Sequence, residues 1–150
     1  MFSSLVLFSQ DNKVKSFVDV LTTFSGMGIT TEIQSGLIIN KEHKILAGFG
    51  TNFSYSNSNH LNLGYSLGYL WLNKSEKHPR ITFGFGPEVK HYFAPNFSHL
   101  EAFLQGVLQV EMYKGFSFFT KSGVGIRSVF TKATTTQLNG NLTIGFGYAF

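Results

Sequence analysis

The segment from Leu138 to Phe150 alternates with a period of two. Leu138, Leu142, Ile144, Phe146, Tyr148 and Phe150 fall on one side, and Asn139, Asn141, Thr143, Gly145, Gly147 and Ala149 on the other. That period belongs to a β-strand, whose successive side chains point to opposite faces. One face is apolar and ends in aromatics, so it needs a cover; the other is polar or nearly bare.

The alternation recurs along the whole chain, and no stretch shows a convincing 3.6-residue period. It predicts strands over 14–24, 27–40, 45–55, 61–72, 80–93, 99–113, 116–130 and 138–150. Met27, Ile29, Ile33, Leu37 and Ile39 oppose Gly28, Thr30, Glu32, Gln34 and Gly36. Leu61, Leu63, Tyr65, Leu67, Tyr69 and Trp71 oppose Asn62, Gly64, Ser66 and Gly68. The first strand is the least clear, because Phe17 and Leu21 fall among its polar positions. Short turns such as Ser25-Gly26 and Lys114-Gly115 join the runs. Eight strands with short turns make an antiparallel up-and-down meander. Pro87 lacks an N–H and predicts a bulge within the fifth strand.

The glycines decide which face points inward. Of the 16 glycines, 12 sit on the polar face: Gly28, Gly36, Gly48, Gly50, Gly64, Gly68, Gly84, Gly86, Gly123, Gly125, Gly145 and Gly147. Glycine weakens a strand, so its concentration on one face has a packing reason. In an eight-stranded barrel the lumen is just wide enough for its side chains. Bare positions there leave room for neighbouring Glu, Lys, Arg and Gln. The apolar face then meets lipid, as in a transmembrane barrel. Tyr69, Trp71, Phe116, Phe118, Tyr148 and Phe150 gather toward the rim bearing the termini, and Phe53, Tyr55, Phe93 and Phe130 toward the other, as two interfacial girdles require. A soluble calycin-like lipid-binding barrel would have to enclose the charged, glycine-rich face instead.

The fold expectation is therefore all-β: an eight-stranded antiparallel transmembrane β-barrel, filled by side chains rather than open. Glu32, Glu88, Lys90, Glu101, Glu111, Lys121 and Arg127 share its inner face and are expected to form an ion-pair network. A tight turn over 93–98 sets Glu101 opposite Lys90, and a three-residue turn around Lys114-Gly115 sets it opposite Arg127 in one of two allowed registers.

Little points to chemistry. The chain has no cysteine, no metal-ligand spacing and no phosphate-binding glycine loop, so no cofactor or metal is expected. The net charge of +4 is scattered rather than clustered, which argues against nucleic-acid binding. His91 is the one histidine worth weighing for a lipid-modifying enzyme of the deacylase or acyltransferase type, but it is followed by Tyr92-Phe93 and lacks a His-x-Ser pairing. The expectation is no catalysis. Residues 1–10 read as a signal-peptide remnant with cleavage after Gln10, and residues 11–150 as one barrel domain.

The eight-strand pattern, the segments Pro87–Phe93 and Lys121–Arg127 and the terminal strand ending in Phe150 together resemble the small OmpA/OmpX-type outer-membrane barrels of Gram-negative bacteria. The resemblance spans residues 14–150. It implies outer-membrane localisation, termini in the periplasm, contact with outer-membrane lipids, a monomer, and a C-terminal signal for the barrel assembly machinery matched by Phe146, Tyr148 and Phe150. The expected outer loops are short, which leaves little surface for adhesion.

Overall fold

The computed structural model describes residues 14–26, 28–54, 61–94, 97–131 and 134–150. The proposed signal-peptide residues 1–10, and with them Met27 and Tyr55, lie outside the described residues. Eight strands follow one another: β1 Val14–Ser25, β2 Gly28–Ile39, β3 His43–Ser54, β4 Leu61–Lys74, β5 Ile81–Ala94, β6 Phe97–Tyr113, β7 Phe116–Phe130 and β8 Thr134–Ala149. Each pairs antiparallel with the next, and β8 closes on β1. The seam is completed by the backbone of Phe150, which donates to Ser16 at 2.9 Å and accepts from it at 3.0 Å.

Closure is staggered. Cross-strand partners lead from Val14 through Ile39, His43, Trp71, Phe85, Gly106, Ser122 and Leu142, and return to β1 at Phe24, ten residues further on. Eight strands with that stagger tilt by about 40° to the barrel axis and leave a lumen only side chains can fill. Between β2 and β3, Asn40 and Lys41 both take positive φ, 53° and 64°, and Glu42 donates its N–H to the Ile39 carbonyl at 3.1 Å. This is the mirror-image turn whose twist suits a two-residue hairpin.

Inside and outside are inverted relative to a soluble barrel. Phe49, Leu67 and Leu104, near mid-strand, are 61, 57 and 59% exposed, whereas Glu88, Lys90 and Lys121 are each 1% exposed. Aromatic contacts on the outer surface gather at the two rims. Trp71 meets Phe85 at 5.2 Å and Tyr148 meets Phe150 at 6.1 Å near the termini; Tyr65 meets Phe93 at 5.7 Å toward the opposite rim.

Three details differ from the sequence reading. Pro87 makes no bulge: it is exposed, and β5 keeps one register with β6 through the Pro87–Leu104 pair. The ladder with β4 lapses between Gly68–Glu88 and Trp71–Phe85 and resumes unshifted, so the missing N–H costs local pairing rather than an added residue. The register shift lies instead between Glu111 and Tyr113. Finally, β8 starts at Thr134, because the β-branched run Thr134–Thr136 extends the hairpin with β7 in place of a turn.

The barrel interior as candidate functional site

The lumen is layered. Toward the termini, Phe17, Leu21, Leu46, Leu70, Leu72, Val107 and Phe119 form one buried apolar cluster. Phe17 and Leu21 therefore obey the strand period and point inward. Between them Asp19 accepts from the Lys44 ammonium at 2.5 Å, and that ammonium also lies 3.9 Å from the centroid of the Phe17 ring. An ion pair inside an apolar plug is compensated by its own partner and by the ring face.

The middle layer carries the densest charge. The Lys90 ammonium donates to Glu32 at 2.6 Å and to Thr23 at 3.3 Å, and lies 3.6 Å from Glu88. Lys121 lies 3.6 Å from the other Glu88 oxygen. Gln34 joins the two halves: its amide nitrogen donates to Glu88 at 2.7 Å while its oxygen accepts from Lys121 at 3.0 Å. The Tyr92 hydroxyl donates to Glu32 at 2.9 Å. Tyr92 fits because β4 presents Gly64 beneath it; a Cβ at Gly64 would collide with the Tyr92 ring. These groups come from four strands and meet across the lumen, so the network braces the barrel rather than any single hairpin.

Above it, Glu101 stands opposite Lys90 on one side and Arg127 on the other in the strand register. Its carboxylate accepts from Asn139 at 3.1 Å. Among the described residues, no ion pair shorter than 4 Å joins it to either cation, because the Lys90 ammonium turns across the barrel to Glu32. Glu111 belongs elsewhere. It sits half-buried beside the register shift near the rim bearing the termini, and its carboxylate faces the backbone N–H of Gly115 at 3.4 Å. Of the expected network, the structure thus joins Glu32, Glu88, Lys90 and Lys121, leaves Glu101 and Arg127 above, and removes Glu111. It adds Asp19, Lys44, Gln34 and Tyr92. Asp19 lies on the polar side of the first strand's alternation, so the period alone places it inward; only its share in the ion pairing was missed.

His91 faces outward. Its Nδ1 lies 3.3 Å from the Tyr65 hydroxyl and its ring 4.5 Å from that of Phe93. These contacts supply neither a serine nucleophile nor an orienting carboxylate; they form an aromatic patch on the outer surface. Among the described residues, no group of three or more acidic or histidine side chains is placed to hold a metal.

No protein-family model matches the sequence, and no curated protein matches it. Solved structures do. Neisserial surface protein A (NspA) superposes with a TM-score of 0.58 at 10% identity, covering 91% of this chain and 97% of that one. The N-terminal β-barrel domain of Pseudomonas aeruginosa OprF gives 0.54 at 10% identity, covering 89% and 97%. Both are eight-stranded outer-membrane barrels. The fold is that of the small outer-membrane barrels. A de novo designed protein, TMB2.3, shares it as well, with a TM-score of 0.54 at 15% identity over 93% of this chain and 96% of that one. A designed sequence with the same architecture underlines that the likeness describes the fold, and that function has to be argued from this chain's own residues.

Proposed function

We propose that this chain is an integral protein of the bacterial outer membrane whose filled barrel serves a structural role in the envelope, without catalysis. One observation carries this reading: ion-paired side chains fill the lumen while large apolar side chains cover the outside. In water that outer surface would be an exposed apolar patch far larger than a soluble monomer carries. In a bilayer it is solvated, and closure leaves no unpaired strand edge in the lipid. The apolar plug and the Glu32–Lys90–Glu88–Lys121 network argue for a barrier rather than a channel. The barrel is expected to fractionate with outer membranes, to migrate faster on gels when unheated than when boiled, and to give no stepwise conductance in planar bilayers. Recovery as a soluble monomer would overturn the membrane assignment, and steady conductance the filled-barrel role.

The outward register of Phe146, Tyr148 and Phe150 supports β8 as the strand read by the barrel assembly machinery, with outer-membrane lipids as the other partner and a monomer as the working form. Removing Phe150 is expected to cut the yield of inserted barrel in cells several-fold. Because the losses are confined to the two Ser16 backbone bonds and the ring contact with Tyr148 at the rim, barrel refolded in detergent should keep most of its stability. Undiminished insertion in cells would count against the signal.

A further inference from the structure

The charge of this chain is unevenly placed. Inside the lumen, Asp19, Glu32, Glu88 and Glu101 balance Lys44, Lys90, Lys121 and Arg127. The surplus of positive charge among the described residues therefore lies outside the lumen. At the rim bearing the termini, the described side chains of Lys15, Lys41, Lys74, Lys77, Arg80 and Lys114 face those of Glu42, Glu76 and Glu111, six cationic side chains against three carboxylate side chains. Three of these cations converge. Lys74 at the end of β4, Arg80 before β5 and Lys114 in the β6–β7 turn line one shallow concavity of about 410 Å³ with Glu111, Met112 and Tyr113.

The register shift between Glu111 and Tyr113 shapes this site. The Glu111 N–H donates to the Arg80 carbonyl at 2.7 Å, which ties the two turns together. Met112 and Tyr113 are left 55 and 67% exposed, and the Lys114 ammonium lies 5.2 Å from the Tyr113 ring centroid. The single carboxylate present is turned toward the Gly115 N–H. Just along the same strands lie the outward rings of Trp71, Phe83 and Phe85, so the concavity opens where an apolar belt gives way to charge.

We propose that this concavity binds the phosphodiester headgroup of an anionic phospholipid in the periplasmic leaflet. The three cations supply the charge, and Met112 and Tyr113 supply an amphipathic wall suited to the glycerol region. A soluble anion would use the cations but gain nothing from that wall or from the adjacent belt. The inference rests on the membrane reading above.

Trp71, the chain's one tryptophan, sits three residues before Lys74 on the outer surface and reports on its lipid neighbours. Barrel whose insertion has been verified by its heat-dependent gel shift is placed in phosphatidylcholine vesicles holding a minor share of phosphatidylglycerol. Either one lipid or the other is brominated in its acyl chains. Brominated phosphatidylglycerol is expected to quench Trp71 at least threefold more than its mole fraction dictates. The variant Arg80→Gln/Lys114→Gln should lose that excess, while Lys15→Gln/Lys41→Gln, which removes the same charge elsewhere on the rim, should keep it. Inorganic phosphate at equal concentration should leave the excess intact. Quenching in proportion to mole fraction, equal loss in both variants, or displacement by inorganic phosphate would each overturn the proposal. Failure of the barrel to insert would instead sink the membrane reading on which it stands.

Discussion

Lys90→Met is expected to cost the refolded barrel about 3–5 kcal/mol, the penalty typical of removing one partner from a buried ion pair. Lys90 is 1% exposed and serves Glu32, Glu88 and Thr23 at once. Without it, Glu88 retains Lys121 and Gln34, but Glu32 retains the Tyr92 hydroxyl and loses its ammonium partner. The desolvation of that carboxylate is what the substitution exposes. Adding Glu32→Gln removes the stranded charge while keeping an acceptor for Tyr92. The double variant should therefore recover at least half of the loss, and a double-mutant cycle should give a coupling well above the roughly 0.2–1 kcal/mol of exposed pairs. Urea unfolding in vesicles, followed by the gel shift, provides the measurement. A Lys90→Met barrel within about 0.5 kcal/mol of the parent, as for most surface changes, would mean that the lumen is hydrated enough to screen the network.

The strand count, the connectivity and the inverted faces were legible in the sequence because each rests on a local rule. Alternation marks a strand, short turns force antiparallel neighbours, and glycine gathers where side chains have no room. Gly64 illustrates the last point, since the Tyr92 ring occupies the space its Cβ would take. Pairing inside the lumen was not legible. Sequence reasoning pairs residues across adjacent strands, and it set Glu101 beside Lys90 correctly in register. A lysine is long enough to span a narrow lumen, however, and Lys90 reaches β2 rather than β6. Such choices depend on tilt and stagger, which emerge only when β8 meets β1. Glu111 was misplaced for a related reason: it keeps its register opposite Ser117 but lies at the rim bearing the termini, where its carboxylate turns to the Gly115 N–H, and nothing as conspicuous as Pro87 marks the register shift beside it. Phe17 and Leu21 were a different failure. Inward positions were expected to be polar, so two apolar residues in step with Asp19 read as noise, when they are part of a plug.

That plug yields the second large effect. Phe119→Ala is expected to cost about 3–5 kcal/mol, the range for deleting a buried aromatic ring. The upper part of that range is favoured here by the wall around it. Phe119 is 1% exposed and lies over Gly145, which has no side chain to move into the vacated space. The barrel itself cannot contract, because strand number and stagger fix its radius. The ammonium groups of Lys44 and Lys121 stand 5.5 and 5.6 Å from the ring centroid, so the void would also strip both cations of a favourable ring face. Phe119→Leu should cost clearly less, since it refills part of the volume with an apolar group. The two layers then separate by their readouts. Loosening the plug should lower the urea midpoint without opening an ion path, because Gln34, Glu88, Lys90 and Lys121 still span the lumen above it. Stepwise conductance in Phe119→Ala alone would assign the seal to the plug, and an unchanged midpoint would show that the ring contributes nothing the surrounding leucines do not already provide.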